Sequence, residues 1–392
     1  MVSTRARAQG RPPAGPDDHR RAHRRGRSRS RPLSAAIAAA ALLVPLAGCS
    51  LAGGGGSDAS GSDASATGGP GSGPHQVVLV THDSFVLPKN LIASFERRSG
   101  YDLVVHSVGD AGQLTNKLVL TKDHPLGDVS FGVDNTFASR AVDAGVFAPY
   151  QAALPAGADQ FTLPGDDGAG GRDLTPVDDA SVCVNVDDTW FAAHHLAPPR
   201  TLDDLVEPAY RDLFVTPGAA TSSPGMAFLL ATIAKYGDRW PDYWTELMAN
   251  GAKLDDGWSQ AYEVDFTQGG GQGDRPIVLS YDSSPAFTVS GGASSTHALL
   301  DTCFRQVEYA GVLAGAQNPR GAQALVDFLL TPAVQKALPD SMYVFPVDSS
   351  VPLPADWAKF AEKPTDPWSL DPGEITDHRD EWLQQWSDLT SR

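Results

Sequence analysis

The sequence predicts an α/β protein of two lobes, and three observations support this prediction. Short apolar runs alternate with segments of helical periodicity, an alternation typical of a parallel sheet covered by helices. A continuous apolar run at residues 277–279 is followed by polar side chains, and open α/β sheets place their ligand crevices at such strand ends. The folded region, from about residue 75 to residue 392, is long for one compact core, so two lobes are expected.

A regular succession of strands and helices predicts the first lobe. The strand-like and helical segments are, in order, residues 77–80, 90–98, 101–108, 110–122, 129–133 and 137–144. Apolar strands that alternate with helices favour a parallel sheet. Loops with polar groups follow the three strands, at residues 82–84, 108–110 and 134–135.

The second lobe is predicted to follow an irregular segment at residues 151–175, which is rich in Gly, Pro and Asp. The later segments are strands at 180–186, 213–216, 277–279 and 307–310, helices at 202–206, 225–236, 318–330, 331–338 and 371–389, and an extended stretch at 342–347. We expect residues 76–178 to form the first part of lobe 1 and residues 179–288 to form lobe 2. Residues 289–392 return to lobe 1 and add the C-terminal helices.

Residues 1–48 have the pattern of a secretory signal. Ten arginines lie between Arg5 and Arg31, and a short apolar run then leads to Leu-Ala-Gly and Cys49. The run is too short for an ordinary transmembrane helix. Its end resembles the bacterial lipoprotein signal, which predicts cleavage before Cys49, a lipid on that cysteine and a location on the outer face of the cell membrane. The pair Arg24-Arg25 leaves a twin-arginine export route open beside the general one.

The segment that follows, residues 49–75, is nearly all Gly, Ser, Ala, Asp, Thr and Pro, which predicts a flexible tether. Removal of residues 1–48, with ten arginines and two aspartates, changes the formal net charge from −17 to −25. So negative a chain is not expected to bind nucleic acid, which needs clustered cations. The charge fits an extracellular protein or one that collects cationic small molecules.

Two cysteines remain once Cys49 is assigned to the lipid. In an oxidising compartment Cys183 and Cys303 are candidates for a disulfide. Both also lie in apolar, strand-like runs, so two buried free thiols are the alternative.

Motifs of the common enzyme classes are missing from the folded region. There is no His-Glu-x-x-His helix, no Gly-x-Ser-x-Gly elbow and no phosphate loop with a lysine. The adjacent His194 and His195 do not share a helix face, so a metal site there is not expected. We predict neither catalysis nor a cofactor nor a bound metal.

Residues 257–287 hold the strongest candidate site. Trp258 and Tyr262 are four positions apart and would share one face of a helix, while Tyr281 ends the apolar run. A core helix and strand joined by a glycine-rich turn is the alternative interpretation. Residues 221–225, Thr-Ser-Ser-Pro-Gly, would offer hydroxyls and free backbone N–H groups at a helix start. That arrangement suits an anion, although an ordinary N-cap is the alternative.

Several of these segments together resemble the thiamine-binding proteins of bacterial ABC importers. The matching pieces are residues 81–85 (Thr-His-Asp-Ser-Phe), 132–135 (Gly-Val-Asp-Asn), 221–225 (Thr-Ser-Ser-Pro-Gly), 257–262 (Gly-Trp-Ser-Gln-Ala-Tyr), 279–287 (Leu-Ser-Tyr-Asp-Ser-Ser-Pro-Ala-Phe) and 343–347 (Tyr-Val-Phe-Pro-Val). They occur in the family's order and cover nearly all of residues 76–392. The resemblance implies a type II periplasmic-binding-protein fold whose two lobes close over the ligand by a hinge motion.

The resemblance also implies a ligand set. The family's binding aspartate matches Asp83, its tryptophan Trp258, its tyrosine Tyr281 and its serine Ser223. The chain departs from the family at three rings, with His82 and Phe287 in place of tyrosine and Tyr343 in place of tryptophan. The expected ligand-binding residues are His82, Asp83, Ser84, Asp134, Ser223, Trp258, Tyr281, Ser283, Phe287 and Tyr343.

Thiamine suits these residue types because it joins a permanent thiazolium cation to a flat aminopyrimidine. Aromatic faces stabilise a desolvated cation by about 2 kcal/mol each, and a carboxylate from Asp83 or Asp134 would supply the counter-charge. The expected partners are thiamine or its phosphates and the permease and ATPase of an ABC importer, with the protein itself a monomer. A ferric-iron or other cation receptor is the alternative among binding proteins, and a secreted thiamine-degrading enzyme is the alternative from another class.

Overall fold

The computed structural model describes residues 75–164 and 172–391. The predicted signal segment, the lipidation site Cys49 and the tether up to residue 74 lie outside the described residues. Within the described ranges, no helix combines the length and the hydropathy needed to cross a membrane.

The first part of the chain alternates strands and helices as the sequence predicts. Its elements are β1 Gln76–Thr81, α1 Lys89–Ser99, β2 Asp102–Ser107, α2 Ala111–Leu120, β3 Val129–Asp134, α3 Ala138–Asp143 and β4 Phe147–Ala148. Strands β1 and β3 are buried apolar runs, whereas β2 is an edge strand with mostly exposed side chains. A 3-10 turn follows at Ala158–Phe161, in the segment predicted to be irregular.

The middle of the chain forms a second set of strands and helices. Its elements are β5 Thr175–Asp187, α4 Asp188–His194, β6 Phe214–Pro217, α5 Ser223–Tyr236, α6 Trp240–Ala249, β7 Lys253–Asp255 and β8 Ile277–Tyr281. Short 3-10 turns lie at Asp204–Val206, Pro208–Tyr210, Gly237–Arg239 and Ser284–Phe287, and one π-helical turn spans Gln260–Asp265.

The last part of the chain contains one long strand and a series of helices. Its elements are β9 Val289–Ser290, β10 Ala293–Ser294, β11 Thr296–Leu313, α7 Pro319–Leu329, α8 Pro332–Gln335, α9 Leu338–Met342, β12 Phe345–Pro346, α10 Ala355–Phe360 and α11 Pro372–Thr390. Two predictions fall short here. The strand predicted at residues 307–310 is the centre of an 18-residue strand, and only two residues of the predicted extended stretch 342–347 are in a strand.

A mixed sheet joins ten of these strands in the order β2-β1-β3-β11-β5-β8-β6-β7, with β4 added to β11 and β12 added to β5, while β9 and β10 form a separate antiparallel pair. Strands β2, β1 and β3 are parallel and form what we call the β1 group. Strands β8, β6 and β7 are also parallel and form the β6 group. The long strands β5 and β11 run antiparallel between the two groups, with irregular register between Leu299 and Phe304 and between Glu308 and Tyr309.

This topology confirms the predicted α/β fold and places the two groups of strands on either side of the central pair. The predicted lobe boundaries after residues 178 and 288 stay a prediction, since β5 and β11 belong to one continuous sheet. Helix α5 is buried from Ser223 to Ile233, so its first turn is held rigidly where the two groups meet.

Cys183 in β5 and Cys303 in β11 are joined by a disulfide across the central pair of strands. Their Cα atoms lie 4.2 Å apart, and 120 positions separate them in the chain. The bond therefore closes a long loop that contains the whole β6 group.

A chain that begins after Cys49 should show no free thiols when it is denatured without reductant. A disulfide that closes a loop of this length lowers the entropy of the unfolded chain, and reduction should lower the free energy of unfolding by up to about 4–5 kcal/mol. Thiol counting and denaturant titration with and without reductant check both expectations. Two free thiols in protein from an oxidising host would contradict the bond.

Candidate functional site

A small cavity lies where the β1 group, the β6 group and the central strands meet. Its volume is about 20 Å³, which is enough for one water molecule. Polar and aromatic side chains dominate its wall, and no lysine or arginine lines it among the described residues. The lining residues are His82, Ser84, Asp110, Ala111, Ser223, Pro224, Trp258, Tyr281, Gln306, Glu308, Met342 and Val344.

A row of three acids crosses the central strands beneath this cavity. Glu308 on β11 is directly paired with Asp134 on β3 and with Asp178 on β5. Side chains of directly paired residues point to the same face of a sheet, so the three acids are neighbours. All three are buried.

Like charges placed directly opposite destabilise a sheet, and protonation relieves the repulsion here. Burial, reinforced by the nearby Glu308 carboxylate, raises the pKa of Asp178 well above its ordinary value. Burial also raises the pKa of Asp134 to about 7, although hydrogen bonds from Thr136 and Ser223 oppose the shift. The row therefore holds protons that an entering cation could replace.

Asp110 is a fourth buried acid, and its hydrogen bonds connect the start of α2, beside the β1 group, to Trp258, which follows β7 of the β6 group. It caps α2, with Oδ1 accepting from the backbone N–H of Ala111 at 2.6 Å. Its Oδ2 accepts from the backbone N–H of Trp258 at 2.8 Å. Burial raises the pKa of Asp110, and the two backbone hydrogen bonds oppose that rise.

Of the described residues, His82 is the one basic side chain that lines the cavity. It follows β1 directly, and its Nε2 lies 3.3 Å from Oε1 of Glu308. Burial alone would lower the pKa of His82, but the Glu308 carboxylate, and after it Asp110 and Asp83, outweigh burial and raise the pKa.

The aromatic side chains form a contiguous group beside the acids. Trp258 stacks on Tyr262 with ring centroids 5.1 Å apart and an interplanar angle of 10°. The indole Nε1 of Trp258 donates to Oγ of Ser280 at 2.9 Å, which fixes the ring. Tyr343 meets Trp258 edge-on at 5.4 Å. The shared helix face predicted for Trp258 and Tyr262 is present, but the turn that carries it continues as a π-helix, a form common at functional sites.

Tyr343 is held in an uncommon backbone conformation. Its φ is 63°, in the left-handed region that non-glycine residues rarely adopt. The hydroxyl of Ser283 donates to its carbonyl oxygen, and the ring of Phe287 stacks on its ring at 3.5 Å. Strain of this kind persists where the surroundings impose it, and it is frequent at ligand sites.

Serine hydroxyls converge at the start of α5, where the backbone N–H groups of Thr221 and Ser222 donate to the carbonyl of Gly218 at 3.3 and 3.1 Å. The Ser222 side chain makes no capping hydrogen bond, so the alternative of an ordinary N-cap is not realised. The hydroxyls of Ser222 and Ser223 lie instead beside the buried carboxyl groups of Asp110 and Asp134 respectively.

The structure brings nine of the ten predicted site residues together. Five line the cavity, namely His82, Ser84, Ser223, Trp258 and Tyr281. Four more lie next to the cavity: Asp134 belongs to the acid row, Tyr343 contacts Trp258, and Ser283 and Phe287 contact Tyr343. Asp83 does not join them, because its side chain is exposed and its backbone N–H donates to the carbonyl of Gly109 at 2.9 Å.

Five polar or aromatic residues of the site were not among those predicted: Asp110, Asp178, Tyr262, Gln306 and Glu308. Asp110 carried a signal, because it follows a strand and precedes a helix in one of the three polar loops. Glu308 carried a weaker one, a single acid inside a strand-like run. Gln306 could be placed only once the length of β11 was known.

A larger cavity of about 390 Å³ lies elsewhere, between α3 and the start of α11. Its wall is mainly apolar, and it has neither the buried acid row nor the stacked rings. The small cavity is therefore the candidate site.

A mixed sheet whose two parallel groups meet over buried acids and stacked rings defines a ligand receptor of the periplasmic binding-protein class. The chain belongs to the family of bacterial extracellular solute-binding proteins, whose model matches residues 125–368. Solute binding is therefore the general function of this protein.

Among characterised relatives, the chain is similar to the thiamine-binding periplasmic protein of Escherichia coli strain K12. The two are 28% identical over 323 residues, which cover 81% of this chain and 94% of the relative. The thiamine-binding periplasmic protein of Brucella melitensis biotype 1 is 28% identical over 327 residues, covering 81% and 92%. A solved structure of a periplasmic thiamin binding protein matches with a TM-score of 0.70 and 28% identity, covering 81% of this chain and 96% of that one.

Proposed function

We propose that this protein captures thiamine outside the cytoplasm and delivers it to an ABC importer. The observation that carries the proposal is a buried acid row beside stacked rings, in a cavity that no lysine or arginine lines among the described residues. Several buried acids that share one imidazole, that of His82, favour a cationic ligand, and stacked rings favour a flat one. Thiamine has both properties, and the similarity to thiamine-binding relatives supports the same ligand.

In the proposed complex, the aminopyrimidine stacks on Trp258 or Tyr343 and the thiazolium lies toward Glu308 and Asp110. The cavity of about 20 Å³ is far smaller than a ligand pocket of several hundred Å³, so entry requires the two groups of strands to separate. Closure brings the start of α2 against the loop before α5, where the backbone N–H of Gln113 donates to the carbonyl of Thr221 at 3.2 Å. Gly112 permits this approach, since a Cβ there would lie 2.8 Å from the carbonyl carbon of Thr221.

Thiamine phosphates would extend to the start of α5. The free N–H groups of a helix N-terminus suit a phosphate, and Ser223 lies at that position in the cavity wall. The neighbouring carboxyl groups of Asp110 and Asp134 oppose a second negative charge there. We therefore propose thiamine as the preferred form and its phosphates as weaker ligands.

Transport without chemistry fits the site better than degradation of thiamine. The cysteines Cys183 and Cys303 are bonded to each other, so neither is a free nucleophile. The ferric-iron alternative lacks support, since the described residues contain no group of three or more His, Cys, Asp or Glu side chains placed to hold a metal ion.

Titration calorimetry with thiamine and with its neutral aminopyrimidine fragment tests the proposed function. Thiamine should bind at one site per chain and at least about tenfold more tightly than the fragment, because only thiamine offers a cation to the acids. Absence of thiamine binding, or equal affinity for both compounds, would overturn the proposal.

The lipid anchor is a separate part of the proposal and rests on the sequence that ends at Cys49. The variant Cys49→Ser should move the protein from the membrane fraction to the soluble exported fraction, because lipid on this cysteine would hold the wild type to the membrane. The neighbouring change Ser50→Ala is the matched control and should leave the protein in the membrane fraction. Retention of Cys49→Ser on the membrane would contradict the anchor.

A further inference from the structure

His82 stands out among the residues of the cavity, because it is a buried base in contact with an acid that the ligand also needs. Its imidazole Nε2 lies 3.3 Å from Glu308 Oε1, in the centre of the acid row. Asp110 is close to it from the start of α2, and Asp83 follows His82 directly in the chain. Behind Glu308 lie Asp134 on β3 and Asp178 on β5.

The remaining surroundings of His82 hold its ring in place without adding positive charge. The ring packs against Gly132 of β3, where an added Cβ would lie 2.0 Å from Cδ2, and it meets the ring of Phe131 at 5.6 Å. Tyr281 from β8 lines the same cavity, and burial raises the pKa of its phenol well above the ordinary value, so Tyr281 stays neutral. The side chain of His82 thus cannot move far from Glu308 without displacing strand β3.

We propose that His82 carries a proton that takes the place of the ligand's positive charge in the empty site and leaves when a cationic ligand binds. The step is a simple exchange: the imidazolium N–H bond of His82 breaks, the proton passes to solvent, and the ligand cation becomes the counter-charge of Glu308 and Asp110. His82 is therefore a specificity-determining residue. It favours ligands with a permanent cation over neutral analogues, which cannot replace the proton.

This inference deepens the proposed function and rests on the ligand being a cation. The sign of its pH dependence follows from the exchange. At low pH the proton on His82 competes with the cation, so affinity falls, and as pH rises the competition ends. Burial lowers the pKa of His82, but Glu308 raises it by more, so the net pKa is above that of an ordinary histidine. The rise of thiamine affinity with pH should therefore continue above the pKa of an ordinary histidine.

Calorimetric titration of thiamine in buffers with different ionisation enthalpies tests the exchange by counting protons. Between about pH 5.5 and 8.5, the wild type should release close to one proton per thiamine at the acidic end, with affinity rising up to about tenfold per pH unit before it levels off. The neutral aminopyrimidine fragment should release none. The variants His82→Asn and His82→Gln should bind thiamine with a smaller proton release and a flatter pH profile.

Asp134 is the competing source of a proton, since its pKa is about 7. A release that is unchanged in the folded His82 variants would assign the proton to the acid row and overturn the inference. Thiamine binding by the wild type with no proton release across this pH range would also overturn it, while leaving the proposed function intact. Failure of the wild type to bind thiamine at any pH would overturn the proposed function itself.

Discussion

Replacement of Trp258 by alanine should weaken thiamine binding by roughly 1–3 kcal/mol, the range found when a ring that stacks on a base is removed. Trp258 is the centre of the aromatic group, since it stacks on Tyr262 and meets Tyr343 and Tyr281. Its loss also leaves the hydroxyl of Ser280 without its indole donor and lets water reach the acids. Calorimetry measures the thiamine affinity of the wild type and of the variant, and circular dichroism checks that the variant is folded.

A matched control is available in Trp190, which stacks on His194 at 3.7 Å and does not line the cavity. Trp190→Ala removes a partly exposed tryptophan of the same size and should leave thiamine affinity unchanged. Equal losses in the two variants would show that the effect of Trp258→Ala is on folding rather than on the ligand.

The second large effect is expected at Asp110. Asp110→Asn keeps the shape of the side chain but removes its charge. The two carboxylate oxygens of Asp110 accept hydrogen bonds from the backbone N–H groups of Ala111 and Trp258, and in asparagine an NH2 group that cannot accept replaces one of these oxygens. Removal of one partner from a buried charge pair costs about 2–5 kcal/mol, so we expect thiamine affinity to fall by about thirtyfold or more. The loss should be much smaller for the neutral aminopyrimidine fragment.

Asp83→Asn is the matched control. Asp83 follows β1 and Asp110 follows β2, and the comparison of the two variants shows which of these acids balances the ligand's charge. The resemblance assigns the ligand's counter-charge to Asp83, whereas the structure leaves that side chain exposed and places Asp110 in the cavity wall. We therefore expect Asp83→Asn to change thiamine affinity by less than about 1 kcal/mol, as for an exposed charge. The reverse order of effects would return the role to Asp83.

The sequence predicts Asp83 in the site, whereas the structure places Asp110 in the cavity wall. Local sequence cannot decide which of the two acids faces the cavity. Adjacent residues at a strand end point to opposite faces, so His82 is buried and Asp83 is exposed although both follow β1 directly. Only the packing of α2 against Trp258 reveals which acid enters the cavity. Trp258 and Tyr281, in contrast, were predictable from spacing and from the apolar strand that ends at Tyr281, whereas Phe287 and Tyr343 were expected only from the resemblance.

Strand β11 illustrates a second limit. Most strands and helices were predictable because their apolar periodicity matches a buried face, and their observed bounds lie close to the predicted ones. In β11 the polar residues Arg305, Gln306 and Glu308 interrupt the apolar pattern, so only a short piece was predicted. Of these residues, Gln306 and Glu308 line the candidate site, because β11 is long enough to cross between the two groups of strands.

Native mass spectrometry of the mature protein, mixed with equimolar thiamine, thiamine monophosphate and the neutral aminopyrimidine fragment, tests the central claim most directly. If the cavity selects a flat cation, one thiamine per chain should be retained in preference to the other two compounds, and Asp110→Asn should abolish that preference. Retention of the neutral fragment in place of thiamine, or of none of the three, would contradict capture of a cation by the buried acids and stacked rings.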